Sequence, residues 1–301
     1  MNKEIPSTFY WHWDEMPSDR ERATVLHSYA AAGAKRVVLS DFILHSVLRS
    51  LSEAGRWRKL LEGAGLTFCD AHATYIGGCD DPMSPDPALR RAVAARLRAQ
   101  LELCAAFGVD TITVHCGNQT PEERGPAGVR AAEERLWRTL EAVLPAAEEL
   151  GVVICLENIF FPTATPAVLL EAVGRFPSPA LGLCWDSGHA QVVRSDVPDD
   201  PKQLWRREAE KCGCEAEPDD AVLEKMLPHV VNCHLHDNDG MTDRHWLPGD
   251  PLGAIDWKSV VPMLLSAPRL RAIQCESITR AERPFSPAEQ VAALRAVLAQ
   301  N

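Results

Sequence analysis

Short apolar runs and amphipathic stretches alternate from one end of the chain to the other. Runs rich in β-branched and aromatic residues occupy 8–13 (TFYWHW), 36–41 (RVVLSD), 67–72 (TFCDAH), 111–116 (TITVHC), 152–157 (VVICLE), 181–186 (LGLCWD), 230–236 (VVNCHLH) and 272–277 (AIQCES). Stretches with helical spacing of apolar residues fill 18–33, 45–64, 86–107, 127–150, 166–174, 221–228, 257–266 and 287–299. In the third of these, Leu, Val, Ala and Leu recur along one face until Gly108 stops the pattern. Eight strands alternating with eight helices predict a parallel β/α architecture, and eight is the number that closes a barrel of ordinary width. No long Gly/Ser/Pro-rich or single-sign stretch divides the chain, so residues 1–301 are expected to form one (β/α)8 TIM barrel domain. One connection, 191–220 after the sixth strand, is longer than such a barrel needs. It is expected to be a lid, a contact with a second copy of the chain, or a flexible surface excursion.

In a parallel barrel, residues at the C-terminal ends of the strands carry the chemistry. The fifth to eighth runs end at Glu157, Asp186, His234 and Glu276, with His189, His236 and Asp237 close behind. The first four runs reach His12-Trp13-Asp14, Asp41, Asp70-Ala71-His72 and His115, and the loop after strand 7 adds Asp243 and His245. Seven of the ten histidines therefore fall at strand ends or on the loops that leave them. Glu157, Asp186, His234 and Glu276 come from consecutive strands and can converge on one ion. Mixed imidazole and carboxylate donors suit divalent Mn, Zn or Co better than Mg or Ca. His72, His115, His189, His236, Asp243 and His245 are candidates for further ions, for substrate hydrogen bonds, or for support of the ligands.

The charge balance, 31 Lys and Arg against 42 Asp and Glu, gives −11 and disfavours nucleic acid as a partner. Acidic rim segments at 77–86 and 194–201 point the same way, and the arginines of 89–98 and 122–138 read as solvated helix faces. The opening residues, MNKEIPSTFY, carry no apolar leader, and no run approaches the roughly 18 apolar residues of a membrane span. A cytoplasmic protein follows as the expectation. Of the ten cysteines, Cys155, Cys184, Cys233 and Cys275 lie within the last four strands and read as small core residues. Cys155 and Cys184, two residues before Glu157 and Asp186, share the ligand side of their strands.

Taken together, LEN (156–158), WDSGHA (185–190), HLHDNDG (234–240), DRHWLPGDPLGAIDW (243–257) and CES (275–277) resemble the xylose-isomerase-like barrel superfamily. That group holds sugar-phosphate isomerases and epimerases and the type IV apurinic endonucleases. The resemblance implies that Glu157, Asp186, His234 and Glu276 hold a shared metal. His234 rather than His236 is assigned because the family pattern runs His, two residues, acid, here ending at Asp237. In the endonuclease branch a trinuclear zinc cluster uses further ligands, for which this chain offers His72, His115, His189, Asp243 and His245.

The expected function is a divalent-metal-dependent isomerase or epimerase of a sugar, polyol or keto-sugar. Glu157 and Glu276 would be the catalytic acid and base of an enediolate proton transfer. Trp11 and Trp13 would supply an apolar wall or core packing. A dehydratase using the same metal site, and an endonuclease-like zinc phosphodiesterase, are the alternatives. No glycine-rich turn opens a helix after strand 7 or 8, which favours an uncharged substrate over a phosphorylated one.

Overall fold

A computed structural model describes residues 5–75, 80–197 and 200–300. Eight strands run parallel: β1 (Ser7–Phe9), β2 (Arg36–Leu39), β3 (Thr67–His72), β4 (Thr111–Val114), β5 (Val153–Glu157), β6 (Leu181–Asp186), β7 (Val230–Leu235) and β8 (Ala272–Cys275). The ladder runs without interruption in the order β1-β8-β7-β6-β5-β4-β3-β2, and β1 lies against β2 to complete a nearly closed (β/α)8 barrel. The registers place Asp186 beside His234 and Glu157 beside Cys184, so the acids and imidazoles that end β5 to β7 reach the rim at one level. β3, β5, β6 and β7 reach His72, Glu157, Asp186 and His234, whereas β1, β2, β4 and β8 stop before the rim residues that the sequence attached to them. β1 ends at Phe9, four residues early, because the chain turns into a 3-10 helix at Trp13–Glu15.

The helices are α1 (Asp19–Ala31), α2 (Asp41–Arg49), α3 (Leu51–Ala64), α4 (Pro87–Phe107), α5 (Gly125–Leu150), α6 (Pro166–Arg175), α7 (Ser187–Val192), α8 (Leu204–Cys212), α9 (Val222–Met226), α10 (Trp257–Leu265) and α11 (Pro287–Leu298). The stretch expected as one helix at 45–64 is two, because Ser50 is extended at φ −155° and ψ 112° and breaks the helical path. Ser18 with Glu21, and Ser286 with Glu289, close reciprocal capping boxes that start α1 and α11. Gly108 ends α4 in the left-handed conformation, where its positive φ of 74° would strain any other residue. None of the helices among the described residues is long and apolar enough to cross a membrane.

The long connection after β6 is not a loose excursion. It carries α7 and α8, and Gln203, fully buried, donates to the carbonyls of Val192 and Gly240. From the neighbouring connection, Arg124 donates to the carbonyls of Glu210 and Lys211, and Gln119 donates to that of Cys212. These bonds, including those from the two buried amides, tie the segment to its neighbours. The acidic segments expected at 77–86 and 194–201 lie partly outside the described residues. The arginine face expected on α5 is only partly solvated: Arg135 is buried and clamps Glu123 through two bonds of 2.7 and 2.6 Å.

Candidate metal centre

Each of the four strand-end residues from β5 to β8 is buried, and their side chains meet. Glu157, Asp186, His234 and Glu276 offer ligand atoms that all lie within 4.8 Å of one another. His234 Nδ1 stands 3.1 Å from Glu157 Oε1 and 3.1 Å from Glu276 Oε2, and 4.0 Å from Asp186 Oδ2. Two further groups adjoin this one. His72 and His115 approach Glu157 Oε2 through Nε2 at 3.7 and 3.0 Å. His189, His236, Asp243 and His245 form the third group, with Asp243 Oδ2 at 3.4 Å from His189 Nε2 and 3.1 Å from His245 Nε2. Glu157 thus belongs to the first two of these groups and to a further one with Cys184 and His234, and its Oε1 lies 3.5 Å from His189.

Hydrogen bonds on the outer side of the rings set what the inner side presents. His72 Nδ1 faces the carbonyl of Ala73 at 2.9 Å, His189 Nδ1 that of Asn158 at 2.9 Å, and His245 Nδ1 that of Glu276 at 2.8 Å. A carbonyl only accepts, so each Nδ1 carries the proton and each Nε2 turns a lone pair towards a carboxylate. Acceptor then faces acceptor at His72–Glu157, His189–Asp243 and His245–Asp243. Only positive charge relieves that opposition, whether protons on the rings or cations between them. The donor set therefore fits a divalent metal.

Electrostatics point the same way. Burial works against the charged form of His72, but the Glu157 and Glu276 carboxylates outweigh it and push the ring up to about 9. His245 is likewise pushed up to about 9, burial being overcome by Asp243. Burial would raise Glu276, yet His234 beside it holds the carboxyl down at about 2. Cys184 lies within 4.8 Å of Glu157 and His234, and burial pushes its thiol well up in the metal-free protein. With Val153, Cys155 and Val231 it forms a small apolar cluster of its own.

Two glycines make the approach of these groups feasible. A Cβ at Gly188 would sit 2.0 Å from the His236 ring, and one at Gly253 would sit 2.2 Å from Asp237. Asp237 is no ligand. Its carboxylate accepts from the backbone of Asn238, Gly249 and Ile255 and from Trp257 Nε1 at 2.8 Å. It thereby ties down the loop that carries Asp243 and His245.

Among the rim residues singled out from sequence, six histidines converge and His12 does not; His12 faces Asp14 instead. Trp11 and Trp13 give no wall: Trp13 is fully buried against Trp57, and Trp11 packs edge-on to Tyr29 and Phe285 in the core. Two aromatic rings neighbour the site: Phe160, edge-on to His189 with ring centres 5.3 Å apart, and Tyr75, 4.8 Å from the His115 ring. Missed altogether was a polar chain behind the site. His234 Nε2 contacts Thr113 Oγ1 at 3.2 Å, Asn232 donates to both Thr113 and Asp70, and Thr111 donates to Asp70. Its signal was present as Thr111, Thr113 and Asn232, polar residues in otherwise apolar, fully buried strands.

Comparison with known proteins places this geometry in a family. A protein of Sinorhizobium fredii is 26% identical over 173 residues, 57% of this chain and 48% of that one. The chain spans about half the length of the curated relatives it matches. The crystal structure of a D-allulose 3-epimerase from a Methylomonas species, in complex with D-allulose, superimposes with a TM-score of 0.70 at 14% identity, covering 100% of this chain and 98% of that one. A protein from Thermus thermophilus, soaked with ZnCl2, gives 0.64 at 22% identity over 99% of both chains. Residues 30–299 match the profile of the xylose isomerase-like TIM barrels, and the chain belongs to that family.

Proposed function

We propose that the protein is a divalent-metal-dependent isomerase or epimerase acting on a sugar, polyol or keto-sugar. The observation that carries this reading is the mouth of the barrel, where Glu157 and Glu276 flank His234 Nδ1 at 3.1 Å each. A Mn, Zn or Co ion held by Glu157, Asp186, His234 and Glu276 would supply Lewis-acid polarisation to neighbouring oxygens of the substrate. In the metal-free protein Glu276 is kept ionised by His234 and His245, and a cation in their place would keep it so, the state a general base requires. Its Oε1 accepts from Gln274 at 3.1 Å, which fixes the carboxylate plane for taking a proton from substrate carbon. Glu157 would return the proton on the opposite face. His189 and His236 would bind substrate hydroxyls. A dehydratase would use the same base and expel a β-hydroxyl in place of the second proton transfer. The likeness to an epimerase holding D-allulose supports a carbohydrate.

A second reading, hydrolysis of a phosphoester by clustered zinc, is favoured by one observation. The three ligand groups adjoin one another, and Glu157, with four imidazoles around it, is placed to bridge. The net charge of −11 opposes a nucleic-acid duplex as that substrate.

The test is metal analysis together with proton exchange. Protein purified without chelator is incubated with D-fructose, D-tagatose or D-allulose in D2O and followed by NMR. About one tightly held ion per chain with deuterium entering at a sugar carbon supports the first reading; three zincs with cleavage of a phosphodiester and no exchange supports the second. In the first case Glu276→Gln is expected to slow exchange by roughly a thousandfold or more while the sugar still binds. Normal exchange in that variant removes Glu276 from its role.

A further inference from the structure

A cavity of about 540 Å³ opens beside His189, between the β5–α6 connection, α6, α8 and the 215–219 segment. That is within the range of small-molecule pockets, about 300–1,000 Å³. Its wall is formed chiefly by Phe160, Phe161, Leu170, Val193, Trp205 and Val222. Four of these, Phe160, Phe161, Leu170 and Val193, stay only half-buried although they pack on the core. The cavity adjoins the metal centre: His189 lines it and also belongs to the ligand group of His236, Asp243 and His245.

The chemistry of the wall selects the occupant. A free sugar needs several donors and acceptors around its ring, and this wall offers few: Trp205 Nε1 is a buried donor without a partner, while the Asn158 amide is already engaged. Both heteroatoms of the Asn158 amide bond the backbone of Asp186, and the Asn158 carbonyl faces His189 Nδ1. At the mouth stand Glu215, Glu217 and Asp219, against a single ammonium, Lys225, which is already paired with Asp219 at 2.8 Å. That sign of charge turns away a carboxylate or phosphate. An uncharged apolar group, by contrast, would meet two phenyl rings, an indole and three aliphatic side chains.

The geometry points to a subsite for an apolar aglycone: the substrate is a sugar bearing an uncharged, aryl-sized substituent, with the sugar at the metal centre and the substituent beyond His189. This rests on the reading of the metal centre as a sugar site. It also gives the long connection after β6 a role, because Trp205 and the 215–219 segment come from it and complete the wall.

Equilibrium binding tests it without relying on turnover. Metal-loaded protein is titrated calorimetrically with phenyl and methyl β-D-glucopyranoside, with phenyl and methyl β-D-fructopyranoside, and with phenol. In at least one sugar series the phenyl glycoside is expected to bind tenfold or more tighter than both its methyl counterpart and phenol. Ala167→Trp, at an exposed position on the cavity wall, is expected to bring the two glycosides within about twofold and leave the methyl glycoside unchanged. Leu170→Arg serves as the second blocking variant. A methyl glycoside bound as tightly as the phenyl one, or a phenyl preference that survives both substitutions, overturns the subsite and leaves the sugar reading standing. Phenol bound as tightly as the phenyl glycosides, with the methyl glycosides unbound, means that the cavity takes a ring but the centre takes no sugar, and the proposal falls with that reading. No millimolar binding of any of the five overturns it as well.

Discussion

His234 is held from both ends, and that decides what it can do. Its Nδ1 looks into the ligand group, while its Nε2 lies 3.2 Å from Thr113 Oγ1. With the hydroxyl as acceptor, Nε2 keeps the proton and Nδ1 keeps the lone pair that a metal needs. Thr113 is in turn held by Asn232 Nδ2 at 2.8 Å, and the same amide reaches Asp70 at 2.8 Å. Asp70 sits in the left-handed region at φ 63°, a conformation that costs energy for a residue other than glycine but is least costly for Asp and Asn. Thr113→Val keeps the volume and removes the acceptor, leaving a buried N–H unpaired at a cost of about 1–3 kcal/mol. Metal affinity is expected to fall about 10–100-fold while the fold persists, as read by chelator competition beside circular dichroism. Unchanged affinity would show that the hydroxyl does not orient the ring.

At the scale of elements, the loop after β7 and the connection after β6 set the site. The loop is anchored by Asp237, which accepts four N–H groups and exchanges backbone bonds with Trp246 at 3.0 and 2.9 Å. Asp237→Ala strands those donors and is expected to destabilise the protein by roughly 2–4 kcal/mol. Because Asp243 and His245 ride on the same loop, the third ligand group should lose affinity while the four-residue group keeps it; isothermal titration with Zn in the variant reads the difference as weaker sites lost and the tightest kept. The barrel and the strand-end acids were legible in the sequence, since an apolar run that stops at a ligand is a local pattern. The role of Asp237 was not, because three of the four donors to its carboxylate lie 12 to 20 residues away and only the folded loop brings them in. The same holds for the walls. Trp11 and Trp13 resemble rim aromatics by position, yet strand β1 ends at Phe9 and turns them into the core. Phe160 carried no periodic signal and stands beside His189 only through the β5–α6 turn.

For the whole molecule, the imidazoles and carboxylates buried at the barrel mouth make stability depend on pH in opposite senses with and without metal. Imidazoles in the unfolded chain titrate near 6.5. In the folded, metal-free protein burial is outweighed by the carboxylates beside His72 and His245, which hold their protons up to about 9. The native state therefore binds more protons than the unfolded one between about 6.5 and 9, so stability is full below 6.5 and is lost as pH rises through 9. Glu276, held at about 2 by His234 despite its burial, acts at the other end: its contribution is present above about 4.5 and is lost as pH falls towards 2. Metal-stripped protein should thus be most stable between about 4.5 and 6.5 and lose on the order of 5 °C in Tm by pH 9. Metal binding replaces those protons, since only the neutral imidazole is a ligand. Loaded protein should instead hold or gain Tm as pH rises from 6 to 9, widening the gap from the stripped form. Calorimetry in buffers of different ionisation enthalpy should detect the released protons directly at pH 7. A stripped protein whose Tm stays level from 6.5 to 9, or metal binding that releases no protons, would mean that the facing acceptors at the barrel mouth are relieved by some means other than protons on these rings.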